Sequence, residues 1–175
     1  YDGFRKEGFE PTNVVAKTTD PLDGLETSVR NHPTKLTQLI AEGMLKVVPA
    51  AQLAVFNGGS IRVDDVLPPG SLTEYDIIRV LPFGGDVVSV TMTGTLLKKV
   101  LAQGMANKGK GGYLQTAKVG YGEKGWLIAD SPISEEATYT VAVSDFLVTG
   151  KERGLEFLNP QNPELKIIGK HGDIR

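Results

Sequence analysis

The chain contains no cysteine, which excludes disulfides, thiolate zinc sites and cysteine nucleophiles together and leaves the compartment open. Histidine is almost as scarce. His32 and His171 stand in neither an HxxxH nor an HExxH spacing, so a self-contained metal centre is not expected and any metal must come from elsewhere. No apolar run approaches the roughly 20 residues needed to cross a bilayer, and no membrane span is expected. The opening residues, YDGFRKEGFEP, are polar and lack the h-region of a secretory leader, and a start at Tyr1 without Met reads as a cleavage or expression boundary. A long basic block is missing too. With a net charge of −2, nucleic acid is not an expected partner, although a local basic pocket for one phosphate is compatible with that balance.

What is present describes one folded domain. The 175 residues, 40% hydrophobic and 23% charged, are enough for a single core and too apolar for a disordered chain. Residues 14–16 read as a short strand and PLDG at 21–24 as a turn. Between Thr34 and Val48, Leu36, Leu39, Ile40, Met44 and Val47 recur at helical spacing, with Pro33 suited to the helix start. The run at 53–56 predicts a buried strand that opens into a tight turn at Asn57-Gly58-Gly59. LPPGSLT at 67–73 has loop chemistry, with Ser71 or Thr73 available to cap a short polar helix. Residues 87–92 alternate as a half-buried strand, with Gly94 as a turn. Leu96, Leu97, Val100, Leu101 and Met105 then mark a second amphipathic helix. NKGKGG at 107–112 reads as a flexible loop, and 113–119, 126–128 and 139–143 as strands. The order lacks a regular βαβ rhythm, so the expected class is α+β, a mixed α/β domain with mixed sheets covered by helices.

Three segments carry candidate chemistry. In NGGSIR at 57–62 the glycines permit a tight turn and close approach to a ligand. Asn57 offers a donor and an acceptor, and Arg62 a planar fork that matches phosphate. The alternative is a plain hairpin turn with a surface arginine. In LPFGG at 81–85, Phe83 lies between a proline and two glycines, either as a local core plug or as a platform for a flat ligand. Phe146, in SDFLVTGKERG at 144–154, poses the same choice. Two further patterns are decoys. GMANKGKG at 104–111 nearly matches a P-loop but lacks the final Ser or Thr and follows a helix, so it reads as a surface loop. Asp64-Asp65, taken as strand residues, would point to opposite faces and stay solvated.

Together with PLDG, RNHPTKLTQLIAEGM, VTMTGTLLKKVL, GGYLQ, YTVAVSDFLVTG and GDIR, these motifs resemble the C-terminal domain of the 5′-nucleotidase family across nearly the whole chain. The resemblance implies a domain that binds the nucleotide or nucleoside and stacks the base between two phenylalanines, here Phe83 and Phe146. Asn57 would face the base, Gly59 and Ser60 would line the pocket, and Arg62 with Arg30 would meet phosphate or other substrate oxygens. The family's Gly-Gly-Asp-Gly reads GKERG here, which puts Glu152 forward for the ribose hydroxyls; His32 is a rival to Arg30. The resemblance further implies a covalently attached N-terminal metallophosphoesterase domain that holds two divalent metal ions and the catalytic residues. Residues 1–13 would be a linker remnant, no cofactor would sit in this domain, and the location would be periplasmic, secreted or cell-surface. A parent that has lost catalysis, such as a nucleoside-binding adhesin or sensor, is the alternative.

Overall fold

A computed structural model describes residues 2–175. Its centre is a five-stranded mixed sheet in the order β12-β6-β11-β3-β7: β3 Leu53–Asn57, β6 Asp86–Thr93, β7 Leu114–Ala117, β11 Thr138–Ser144 and β12 Leu165–Asp173. Strands β3 and β11 run parallel, with Val141 opposite Leu53, and every other pairing in this sheet is antiparallel. Side chains alternate across the pleat. Leu53, Val55, Val88, Val90, Val141 and Val143 enter one core, and Ala54, Phe56, Val87 and Ala142 the other. The central strands are therefore buried on both faces. This corrects the half-buried expectation for 87–92: the outer polar face that alternation implies is covered by a second core.

Two helices of 13 residues cover the faces, α3 Lys35–Val47 and α5 Gly94–Ala106. Thr34 caps α3, its hydroxyl accepting from the Thr37 N–H at 3.3 Å while Thr37 Oγ accepts from the Thr34 N–H at 2.8 Å. Pro33 stands one residue ahead of the cap. The core stripe of α3 is Leu36, Thr37, Ala41 and Met44, whereas Leu39 and Val47, expected to be buried, are exposed. Thr93 caps α5 by accepting from the Leu96 N–H at 3.1 Å, so Gly94 opens a helix instead of making a turn. Leu96, Leu97, Val100 and Leu101 are buried, each contributing about 1.5–3 kcal/mol, and Met105 is exposed.

Smaller elements complete the chain. Strand β1 Val14–Thr18 pairs with β5 Gly70–Thr73, and β2 Leu22–Asp23 with β4 Val66–Leu67. Half of PLDG and much of LPPGSLT are thus strand. Thr73 caps α4 Glu74–Val80 through a full capping box with Asp76. A three-stranded sheet joins β8 Val119–Gly122, β9 Gly125–Ile128 and β10 Ser131–Pro132. Helices α1 Asp2–Lys6 and α2 Glu26–Val29 are short. The segment after α1 lies along α4: the Glu10 N–H and Asn13 Nδ2 both donate to the Glu74 carboxylate, and Phe9 meets the Arg175 guanidinium 4.6 Å from its ring centroid. Among the described residues, no helix is long and apolar enough to cross a membrane.

Candidate functional site

Strand direction brings the candidate residues to one edge. Parallel β3 and β11 both end there, in Asn57 and Ser144, and antiparallel β6 and β7 both begin there. LPFGG precedes β6, Gly111 precedes β7, and Ile174 follows β12, which runs antiparallel to β6. The carboxyl ends of a parallel pair are a recurrent place for ligand crevices. Here a cleft of about 630 Å³ opens along this edge, and Arg30, Asn57, Gly59, Ser60, Arg62, Phe83, Phe146 and Glu152 all line it. His32 does not; its Nδ1 lies 3.0 Å from the Pro33 carbonyl oxygen.

The turn after β3 is gripped by backbone. The Gly58 N–H donates to the Tyr113 carbonyl at 2.7 Å and the Gly59 N–H to that of Gly111 at 2.8 Å. A Cβ at Gly58 would run into the Val29 carbonyl, so the chain passes only as glycine. The Gly109 N–H binds the Arg30 carbonyl at 2.7 Å, and Gln115 Nε2 donates to the carbonyls of Val29 and His32. The P-loop lookalike therefore acts as a wall that fixes Arg30 and Gly59. Asp64 and Asp65 lie on a loop before β4. Asp64, at φ +44°, accepts from the Glu26 N–H at 2.9 Å, and Asp65 meets Arg79 at 3.5 Å.

Phe83 is 78% exposed and Phe146 40%, which removes the core-plug reading for both. The Arg62 guanidinium lies 5.7 Å from the Phe83 ring centroid, and Arg62 is itself exposed. Asn57 is buried and engaged on both sides: Ser60 Oγ donates to its Oδ1 at 2.7 Å, and its Nδ2 donates to Glu152 Oε2 at 3.2 Å. What remains for a ligand is one amide hydrogen and one lone pair. Burial pushes the Glu152 carboxyl above the ordinary glutamate range, against the pull of the Arg153 N–H, the Arg30 charge and the Asn57 amide. The GKERG loop is tied down by Asn107, whose Nδ2 reaches the carbonyls of Gly112 and Arg153, each at 3.2 Å.

Arg30 pairs with Glu26 at 2.9 Å through one terminal nitrogen, and its Nε is buried without a partner among the described residues. The same is true of Ser144 Oγ, and both residues line the cleft. Orphaned buried donors are rare in a folded domain, and here they gather at one place. Ser144, Asp145, Thr149, Leu81 and Ile174 line the cleft as well and were not singled out from the sequence. The motif SDF did contain the first two, but only its aromatic residue drew notice. Among the described residues, no group of three or more His, Asp or Glu side chains is arranged to hold a metal ion.

Fold and site define an α+β domain with an open, aromatic-walled cleft edged by arginine. The family model for "5'-nucleotidase, C-terminal domain" matches residues 14–159, and the chain belongs to this family. The chain is 32% identical over 85% of its length to the trifunctional nucleotide phosphoesterase protein YfkN of Bacillus subtilis, of which the match spans 12%. It is 31% identical over 84% of its length to protein UshA of Yersinia enterocolitica, spanning 28% of that protein. The 5'-nucleotidase precursor of Thermus thermophilus superposes with a TM-score of 0.75 at 27% identity, covering 93% of this chain and 35% of that one. The chain thus spans well under half the length of these relatives. They give no support to the adhesin or sensor alternative.

Proposed function

We propose that this chain is the nucleotide-binding domain of a 5′-nucleotidase-type phosphohydrolase, one that removes phosphate from nucleotides or cleaves nucleotide-sugars. The base stacks between Phe83 and Phe146. The observation that carries this reading is the exposure of both rings in a single cleft that also holds Arg62 and Glu152. Large apolar faces left in water at a concave site are matched by a flat ligand, and stacking one base on an aromatic ring is worth about 1–3 kcal/mol. Arg62 and Arg30 meet phosphate or other substrate oxygens, and Arg30 Nε has no partner among the described residues to offset its burial. Glu152 accepts from sugar hydroxyls and Asn57 holds it in place while turning its remaining amide valences to the ligand.

Hydrolysis belongs to a covalently attached N-terminal metallophosphoesterase domain, and the two divalent metals belong to that domain. The small share of each relative that this chain spans supports the division. Residues 1–13 are the linker to that domain, and the parent is exported to the periplasm, medium or cell surface. The test is calorimetric titration of the chain with adenosine, AMP and a UDP-sugar, beside the variant Phe83→Ala. Saturable binding that weakens at least about tenfold in the variant is expected. Unchanged affinity in Phe83→Ala would remove the aromatic clamp.

A further inference from the structure

The stacking reading gives the base Asn57 as one neighbour and leaves open what else meets its edge, and this inference rests on that reading. A base held by its faces turns its edge toward whatever lies between the two rings. Phe83 precedes β6 and Phe146 follows β11, and these strands are neighbours in the sheet. Between the rings in this frame stand Gly85 and Asp145, both lining the cleft. The Asp145 carboxylate is fixed at one oxygen only: Oδ2 accepts from the Asp86 N–H at 2.9 Å, closing the mouth between β6 and β11. Oδ1 has no hydrogen bond among the described residues.

Gly85 leaves room beside that second oxygen, which a side chain there would take. A Cβ at position 85 would stand 2.7 Å from Asp145 Oδ1, inside contact distance, and the glycine holds φ at +98°, where a side chain would in any case be strained. Structure alone asks one oxygen of Asp145, to receive the Asp86 N–H. The other is preorganised by that bond, and an ionised carboxylate can only accept.

We infer that Asp145 Oδ1 reads the base edge by accepting from an exocyclic amine, making this a site for amine-bearing nucleobases. A base without an amine at that place leaves the carboxylate oxygen stripped of water and unpaired, which is how a polar site rejects an analogue that differs by one group.

Two ligand pairs that each differ by a single amine test this by titration of the chain: adenosine against purine riboside, and guanosine against inosine. In at least one pair the amine-bearing nucleoside is expected to bind about tenfold tighter or more, the size of one charge-assisted hydrogen bond. Asp145→Asn keeps an oxygen for the Asp86 N–H and offers an amide N–H₂ to the base, so the ratio should fall to one or below with the melting temperature preserved. If that variant does not melt cooperatively, Asp145→Ser supplies the same ratio. Equal affinity within both pairs, or a preference that survives at Asp145→Asn, overturns the inference and leaves the aromatic clamp standing. Binding of none of the four nucleosides overturns the clamp and this inference together.

Discussion

Glu152 sits where burial and hydrogen bonding pull in opposite directions, and burial prevails. Its carboxyl holds a proton to higher pH in the folded chain than in the unfolded one. In the window that starts at the ordinary value of about 4.3 and runs up to the raised one, the native state binds more protons. The stability carried by the protonated form is therefore complete below that window and is lost as pH rises through it. Urea denaturation across this range should show a fall for the wild type that Glu152→Gln flattens. A wild-type profile no steeper than that of the variant would mean that the carboxyl titrates normally. Phe83 behaves differently: it is mostly in water, so Phe83→Ala should change stability by no more than about 0.5 kcal/mol while weakening binding. That split separates a ligand platform from a packing residue.

Helices and buried strands were legible where local chemistry and burial agree. Thr73, offered as a cap, and the runs at 53–56 and 139–143 all became the elements that their patterns predict. Strand β12 escaped because it is an edge strand, mostly exposed, with its register shifted between Ile167 and Gly169, so no alternation survives in LKIIGKHGD. In α3 the helix itself was legible, but its phase was set by tertiary packing, which draws Thr37 and Ala41 inward and leaves Leu39 and Val47 outside. All eight candidate cleft residues were readable through motifs; Ser144 and Asp145 lie in SDF, where the phenylalanine carries the plainer signal, and Ile174 enters the cleft through strand pairing that a linear pattern does not contain. At this scale the turn after β3 is the sharpest test. Gly58→Ala forces the chain against the Val29 carbonyl and should cost about 1–3 kcal/mol in denaturation, with ligand affinity lost alongside as Ser60 and Arg62 shift. A variant of wild-type stability would show that α2 yields easily.

For the molecule as a whole, the sheet's two faces support two cores, and the cleft lies along the edge where β3 and β11 end. Binding and hydrolysis can then reside in different parts of a longer protein. The purified chain, given AMP and divalent metal, is expected to bind without releasing phosphate; a phosphate-release assay showing metal-dependent turnover would refute that separation. One pairing has a kinetic consequence. Asn57 and Glu152, hydrogen-bonded at the floor of the cleft, are 95 residues apart in sequence, and the strand pair β3 and β11 that brings them together is parallel. Such long-range pairing closes late because a large loop must be ordered before its contacts reward it. During refolding, competence to take up ligand should therefore lag behind the recovery of helical signal, and a nucleotide added at the outset would hold the finished protein without hastening its assembly.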